Sequence, residues 1–301
     1  MNKTAASTLI VLLGPTGVGK TALSLSIAKH FQTEIISCDS RQLYREMSVG
    51  TAVPEKELQE LVPHHFIQSH SITDRYNAAR FESDVLELLK SLFLKHPVVL
   101  MTGGSMLYID AVCKGIDDLP DIDPELRTTL VERMKQEGIE NLRAELKLLD
   151  PEYYREADLQ NPARIIHALE ICYMTGRSFS SQRTKTSKER DFRIVKIGLN
   201  RDRTELYDRI NMRVDAMMQS GLEEEARRLF PYRDLNNVHT VGYRELFDYF
   251  EGLCTREEAV ERIKANTRKY ARKQLTWFRK DPGIHWFHPD QSAGILEFLT
   301  K

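Results

Sequence analysis

Leu9-Ile10-Val11-Leu12-Leu13-Gly14-Pro15-Thr16-Gly17-Val18-Gly19-Lys20-Thr21 decides the fold class of this chain. Five consecutive apolar residues read as a buried strand, and the next eight satisfy the phosphate-loop pattern G-x-x-x-x-G-K-[ST]. A helical stretch from Ala22 to Phe31 follows. Glycines let the backbone of Gly14, Pro15, Thr16, Gly17, Val18 and Gly19 wrap a diphosphate with its N–H groups. Lys20 supplies a point charge, and the Thr21 hydroxyl can reach a phosphate-bound Mg²⁺. The expectation is a site for a phosphate-bearing ligand.

Working outward, Glu34 to Ser37 and Val98 to Met101 are short apolar runs, each ended by polar residues or glycines. Separated by helical stretches, these runs have the spacing of an α/β parallel sheet flanked by helices. Ligands of open parallel sheets bind at the carboxyl ends of the strands, so Asp39 and Ser105 are expected beside Lys20. An NTPase would need an acid after the second or third strand to anchor its metal through water. The third strand runs into Thr102-Gly103-Gly104, with no acid. Asp39 therefore remains as a metal-side ligand, a general base, or simply a capping carboxylate.

The 301 residues carry a formal net charge of −1 and four cysteines. Cys38, Cys113, Cys172 and Cys254 contain no CxxC pair, so neither a disulfide framework nor a zinc site is expected, and the expected compartment is the reducing cytoplasm. The first apolar run is too short for a signal peptide, and no other run is long enough to span a membrane. Charge is unevenly distributed. Arg262, Lys264, Arg268, Lys269, Arg272, Lys273, Arg279 and Lys280 lie in one helical stretch without an acidic residue. Ile263, Tyr270 and Trp277 at seven-residue spacing are expected to pack on the core, leaving Arg268, Arg272 and Arg279 for a polyanion or for solvent.

Asp117 to Pro124 is a polar, proline-punctuated joint, and helices are expected over Glu125–Glu137, Glu140–Leu149 and Pro162–Thr175. Ser178 to Asp191 is poor in apolar residues and reads as a mobile, solvated loop. Phe192 to Leu199 reads as a strand returning to the sheet, and the remainder as mostly helical, with a loop near Pro231 to Val241. The expected organisation is a core over 1–119, a helical insertion domain over 120–191, and a return to the core with a helical C-terminal region over 192–301. His64-His65 and His167 lack metal-ligand spacing.

Taken together the motifs resemble the tRNA dimethylallyltransferase family, in the bacterial form without a C-terminal zinc finger. The matching pieces are the phosphate loop, Asp39-Ser40-Arg41-Gln42-Leu43-Tyr44, Gly50-Thr51-Ala52, Pro63-His64-His65 and Gly103-Gly104-Ser105-Met106-Leu107-Tyr108. They continue with the Arg164 to Glu170 helix, Val241-Gly242-Tyr243-Arg244-Glu245 and Lys273-Gln274-Leu275-Thr276-Trp277-Phe278-Arg279. The resemblance implies a P-loop NTPase-like fold and transfer of a dimethylallyl group from dimethylallyl diphosphate to N6 of adenosine 37, next to adenosine 36, in tRNA. Mg²⁺ would accompany the diphosphate. Asp39 matches the general base; Lys20, Thr21 and Ser105 complete the expected catalytic set, and Arg203 and Arg209 match a basic pair that helps hold diphosphate.

For tRNA the resemblance implies Asp39, Ser40, Arg41, Gln42, Ser105, Arg127, the stretch Ala163, Arg164, Ile165, Ile166 and His167, and the segment His239, Thr240, Val241, Gly242, Tyr243 and Arg244. The basic helix adds Arg268, Arg272, Lys273 and Arg279. The insertion is expected to grip the anticodon stem-loop, and the expected form is a monomer without membrane attachment. Val53 and His167 depart from the lysine and arginine common in the family, and Ser105 from its threonine. Three other readings stand beside this one: an adenylate isopentenyltransferase acting on free nucleotide, a small-molecule kinase using the same loop for ATP, and a non-catalytic tRNA-binding protein.

Overall fold

The computed structural model describes residues 7–117, 119–120, 123–184 and 186–301. Asp118, Asp121 and Ile122 of the polar joint, and Lys185 of the hydrophilic segment, lie outside them. The chain divides into two compact units, one formed by Met1–Cys113 and Glu189–Lys301, the other by Lys114–Lys188.

The first unit contains β1 (Thr8–Leu13), α1 (Lys20–His30), β2 (Ile35–Ser37), α2 (Lys56–Leu61), β3 (His64–His65), α3 (Ala78–Leu92), β4 (Val98–Gly103) and α4 (Met106–Lys114). The second unit supplies α5 (Pro124–Glu137), α6 (Ile139–Leu149), α7 (Pro151–Glu156), α8 (Pro162–Thr175) and α9 (Phe179–Gln182). The chain then returns with β5 (Arg193–Leu199), α10 (Arg203–Gln219), α11 (Leu222–Leu229), α12 (Tyr243–Phe250), α13 (Arg256–Phe278), β6 (Ile284–Phe287) and α14 (Ser292–Thr300).

Among the described residues the six strands all run parallel in the order β3-β2-β4-β1-β5-β6. The central strand β1 must be apolar on both faces, which is why it reads as a continuous run. Its side chains alternate: Leu9, Val11 and Leu13 pack with Phe81 and Val85 of α3 and Val112 of α4, while Ile10 and Leu12 pack with Ile27 of α1 and Leu206 and Ile210 of α10. The two strands that sequence reading missed, β3 and β6, have only two and four residues, too short for a period of two to register.

The second unit has its own core, in which Leu130, Leu142, Leu146, Ile165, Ile166, Leu169 and Phe179 are buried. Asp150, fully buried, caps α7 through the Tyr153 amide (2.9 Å) and receives the Ser180 amide (2.6 Å) and hydroxyl (2.7 Å). Ser178 to Asp191 is therefore more anchored than its composition predicts, with Phe179 buried in this core. Within the first unit, Arg190 donates to Glu82 (2.6 Å) and to the Val112 and Ala111 carbonyls.

The seven-residue stripe of α13 also needs correction. Ile263 is buried, but Tyr270 and Trp277 are each 37% exposed, and the inner face is instead Ala259, Ile263, Ala271, Gln274 and Phe278. The helix advances 3.6 residues per turn, so a strict repeat of seven drifts off the packed face. The four cysteines are thiols, three of them buried.

Removing the Leu12 side chain, fully buried on the α1 and α10 face of the sheet, should cost about 2–5 kcal/mol in a Leu12→Ala variant, because a cavity is added to the lost transfer energy. Urea unfolding measures this, and a loss under about 1 kcal/mol would deny that face its place in the core.

Candidate active site

The phosphate loop leaves β1 and enters α1 at Gly19, whose φ of +108° lies in the left-handed region that a side chain disfavours. Lys20 Nζ donates to the Gly14 and Pro15 carbonyls, both at 2.9 Å. Burial pulls its pKa down to about 8, with Asp39 raising it and Arg213 lowering it further. Thr21 lies exposed one residue further along.

Several side chains brace the loop from distant sequence. Gln274 Oε1 accepts the Thr16 amide (2.9 Å) and Gln274 Nε2 donates to the Gly104 carbonyl (2.8 Å). Arg209 Nε donates to the Gly17 carbonyl (3.0 Å), Arg201 Nε to the Val18 carbonyl (2.9 Å), and Arg213 to the Thr16 hydroxyl (2.9 Å). Arg203 turns elsewhere and donates to the Tyr207 hydroxyl (3.2 Å). Of the expected basic pair, only Arg209 lies at the loop.

Asp39 follows β2. Its Oδ1 accepts the amides of Arg41 (2.9 Å) and Gln42 (3.4 Å), so it closes the turn as a capping carboxylate would. Ser105 Oγ accepts the Ser40 amide (2.8 Å) and donates to the Ser40 hydroxyl (3.1 Å), tying the loops after β2 and β4 together. Gln42 spends its amide inside the protein, accepting from Ser37 Oγ (3.2 Å) and donating to the Thr51 and Ala52 carbonyls (3.1 and 3.0 Å).

Two cavities meet here. One, of about 590 Å³, is lined by Gly17, Gly19, Lys20, Thr21, Arg209 and His64 among others. The other, of about 350 Å³, is lined by Ser40, Arg41, Ser105, His239, Thr240, Val241, Gly242 and Arg244. The same lining includes the apolar Ile210, Val214, Met217, Leu222 and Ile263. Thr16, Asp39, Arg213 and Tyr270 belong to both linings. Among the described residues lining the two, Asp39 is the only carboxylate, against Lys20, Arg41, Arg209, Arg213 and Arg244. Burial draws Arg213 below the ordinary arginine range, opposed by Asp39, and burial pushes Tyr270 up to about 12.

Other expected site residues fall outside these cavities. Tyr243 is fully buried and presents no surface. In the second unit Ile165 and Ile166 belong to the core, whereas Ala163 and Arg164 are exposed and His167 half-buried. Arg127 Nε lies 3.1 Å from Glu170, a fully buried carboxylate that His167 approaches at 3.6 Å. On α13, Arg268 donates to Asn211 Oδ1 (2.5 Å) and Arg272 to the Tyr207 hydroxyl (2.8 Å), with Lys273 and Arg279 exposed.

Sequence reading missed Arg213, Tyr270, Gln274 and His64 as site residues. Arg213 was discoverable four residues after Arg209, on the same helix face. Gln274 stands in the Lys273–Arg279 piece of the resemblance, but its role depends on a contact 258 residues away that no local pattern shows.

Lys20 is held in the folded state with a pKa below its unfolded value, so its charge costs stability at neutral pH, and that cost fades as pH rises from about 8 toward 10.5. A Lys20→Met variant should be about 1–3 kcal/mol more stable at pH 7, from a shift worth about 1.4 kcal/mol per pH unit less two lost hydrogen bonds. The gain should shrink above pH 9. A pH series of thermal melts with no gain at pH 7 would contradict the buried charge.

The IPP transferase family model matches residues 42–281. A Phocaeicola vulgatus protein named tRNA dimethylallyltransferase 1 is 59% identical over 97% of this chain and 97% of its own length. A Bacteroides fragilis protein of the same name is 58% identical, with 98% of each chain covered. The crystal structure of the full-length tRNA isopentenylpyrophosphate transferase from Bacillus halodurans is 34% identical, covers 98% of this chain and 96% of its own, and superposes with a TM-score of 0.71. A eukaryotic dimethylallyltransferase structure, 24% identical over 91% of this chain and 70% of its own with a TM-score of 0.73, shares the fold. With a P-loop NTPase-like sheet, a phosphate loop at its strand ends and a family match across most of its length, the chain belongs to the IPP transferase family of enzymes.

Proposed function

We propose that this enzyme transfers a dimethylallyl group from dimethylallyl diphosphate to N6 of adenosine 37, beside adenosine 36, in tRNA. The observation that carries the reading is Asp39, the only carboxylate among the described residues lining the two cavities and common to both linings. The names of the relatives support the donor and the tRNA acceptor.

In this reading the diphosphate occupies the larger cavity, on the loop amides, Lys20, Arg209 and Arg213. The acceptor adenine, turned out of its stack, enters the smaller one past Ser40, Arg41, His239, Thr240 and Arg244. The donor C1–O bond breaks and its electron pair leaves with the diphosphate, while the N6 lone pair forms the new bond to C1. The amine becomes acidic as that bond forms, and its proton passes to Asp39. Oδ1 of Asp39 is engaged by backbone amides, which makes Oδ2 the acceptor. Cationic groups and amides fixed around the leaving oxygens stabilise charge where it develops. The diphosphate leaves intact, so the loop serves a leaving group and hydrolyses nothing.

The donor chemistry of the cleft fits magnesium. Thr21 and Asp39 offer oxygen atoms, and no group of three His, Cys, Asp or Glu capable of caging a metal occurs among the described residues. Such a site suits an ion that keeps its waters and takes phosphate oxygens. Held by Thr21 and the donor, Mg²⁺ would supply positive charge to the departing diphosphate.

For the RNA, the second unit offers Arg127, Ala163, Arg164 and His167, and α13 offers Arg268, Arg272, Lys273 and Arg279. The enzyme is proposed to act as a cytoplasmic monomer. No helix among the described residues is long and apolar enough to cross a membrane.

The test is mass spectrometry of nucleosides from an unmodified anticodon stem-loop RNA with adenosines at positions 36 to 38, incubated with enzyme, Mg²⁺ and dimethylallyl diphosphate. One C5 unit on a single adenosine, and none on free AMP, is the expected result. Product on AMP alone would make this an adenylate isopentenyltransferase, and labelled γ-phosphate transferred from ATP a kinase. Asp39→Ala should lower kcat by about 10²–10⁴-fold while leaving RNA affinity within about threefold. Equal losses in both would remove Asp39 from the proton transfer.

A further inference from the structure

Glu225, on α11, is 2% exposed yet accepts four hydrogen bonds. Oε2 takes the amides of Ser48 and Val49 (both 2.9 Å), and Oε1 takes the Gly50 amide (2.9 Å) and the Tyr243 hydroxyl (2.7 Å). Successive backbone amides converging on one anion form a nest, here filled by the protein's own side chain. Burial and the neighbouring Glu225 push the Tyr243 phenol up, which keeps its proton in place for donation.

What the carboxylate holds makes it more than a core contact. The turn from Ser48 to Val53 closes on itself through Val53 N to Ser48 O (3.1 Å), and presents the Thr51 and Ala52 carbonyls to Gln42. Gly50 and Thr51 line the smaller cavity, as do Leu222 of α11 and the segment from His239 to Gly242 just before Tyr243, while Ala52 and Gln42 line the larger one. Gly50 packs so closely on the Tyr243 ring that an added Cβ would lie 2.5 Å from its Cζ and Oη. One buried carboxylate thus joins three walls of one cavity, and none of its bonds reaches the phosphate loop.

We infer that Glu225 and Tyr243 are positioning residues for the acceptor: they lock the Ser48–Val53 turn and the His239–Gly242 segment in the spacing that admits the base, without bonding to the phosphate loop that would hold the diphosphate. This rests on the assignment of the smaller cavity to the acceptor. It also gives Tyr243, expected from the resemblance to face tRNA but fully buried, an indirect role beside Gly50.

The experiment compares wild type with Glu225→Gln, Tyr243→Phe and Gly50→Ala. It measures kcat/KM for the stem-loop RNA and, separately, the dissociation constant for dimethylallyl diphosphate in the absence of RNA. Tyr243→Phe removes one hydrogen bond to a charged group and keeps the ring, so it guards against a variant that fails to fold. Its kcat/KM should fall about tenfold, equivalent to about 1.4 kcal/mol, and that of Glu225→Gln further, with donor affinity unchanged within about twofold. Gly50→Ala should reproduce the acceptor defect by steric means. Parallel loss of donor affinity, or no loss of kcat/KM in Tyr243→Phe, would overturn the inference. If wild type prenylates AMP and not RNA, the acceptor class is wrong, and the same split measured with AMP still decides whether these residues position it.

Discussion

One buried amide side chain connects the parts of this site that the chain synthesises farthest apart. Gln274 accepts from the phosphate loop at Thr16 and donates to the loop after β4 at Gly104. The bond to Gly104 is buried and the bond from Thr16 partly so, and a backbone group left unpaired in a buried setting costs about 1–3 kcal/mol. The geometry requires α13 to press against the strand ends, which Ala271 and Phe278 permit through burial on the same helix face. Because all six strands are parallel, their carboxyl ends face one side, and the loops after β1, β2 and β4 have no other place to go.

The electrostatics of that crevice are lopsided. Lys20 and Arg213 are partly buried with a single carboxylate nearby in the cleft, Asp39, and desolvation draws both below their ordinary ranges. A folded protein without a ligand gains nothing from such an arrangement, since desolvated like charges repel. In the proposed function an incoming diphosphate would reverse the balance by bringing negative charge to amides and cations already in place. The same crowding leaves Asp39 as the only carboxylate among the described residues lining the two cavities.

Two carboxylates away from the chemistry show how differently burial can be managed. Glu225 is satisfied four times over by amides and a phenol. Glu170, in the second unit, has no hydrogen-bond partner for either oxygen and relies on Arg127 and His167 nearby. The first arrangement makes a rigid turn. The second sets a half-exposed guanidinium beside a buried carboxyl group.

Read by itself, the amino-acid sequence determined the local chemistry: a strand, a glycine-rich loop of the phosphate-binding pattern and a helix, a basic stretch near the C-terminus, and Asp39 just past a strand end. These were legible because each depends on neighbours within a few residues, through side-chain period, glycine freedom or missing alternatives. Only the tertiary structure decided that Gln42 and Tyr243 are spent on internal bonds, that Ile165 and Ile166 are core, that Arg201 and Arg213 brace the loop while Arg203 does not, and that Gln274 clamps it. Those outcomes depend on which face of a helix meets which loop across up to 258 residues. A packed face is chosen by the fit of the whole core, so no short-range pattern encodes it.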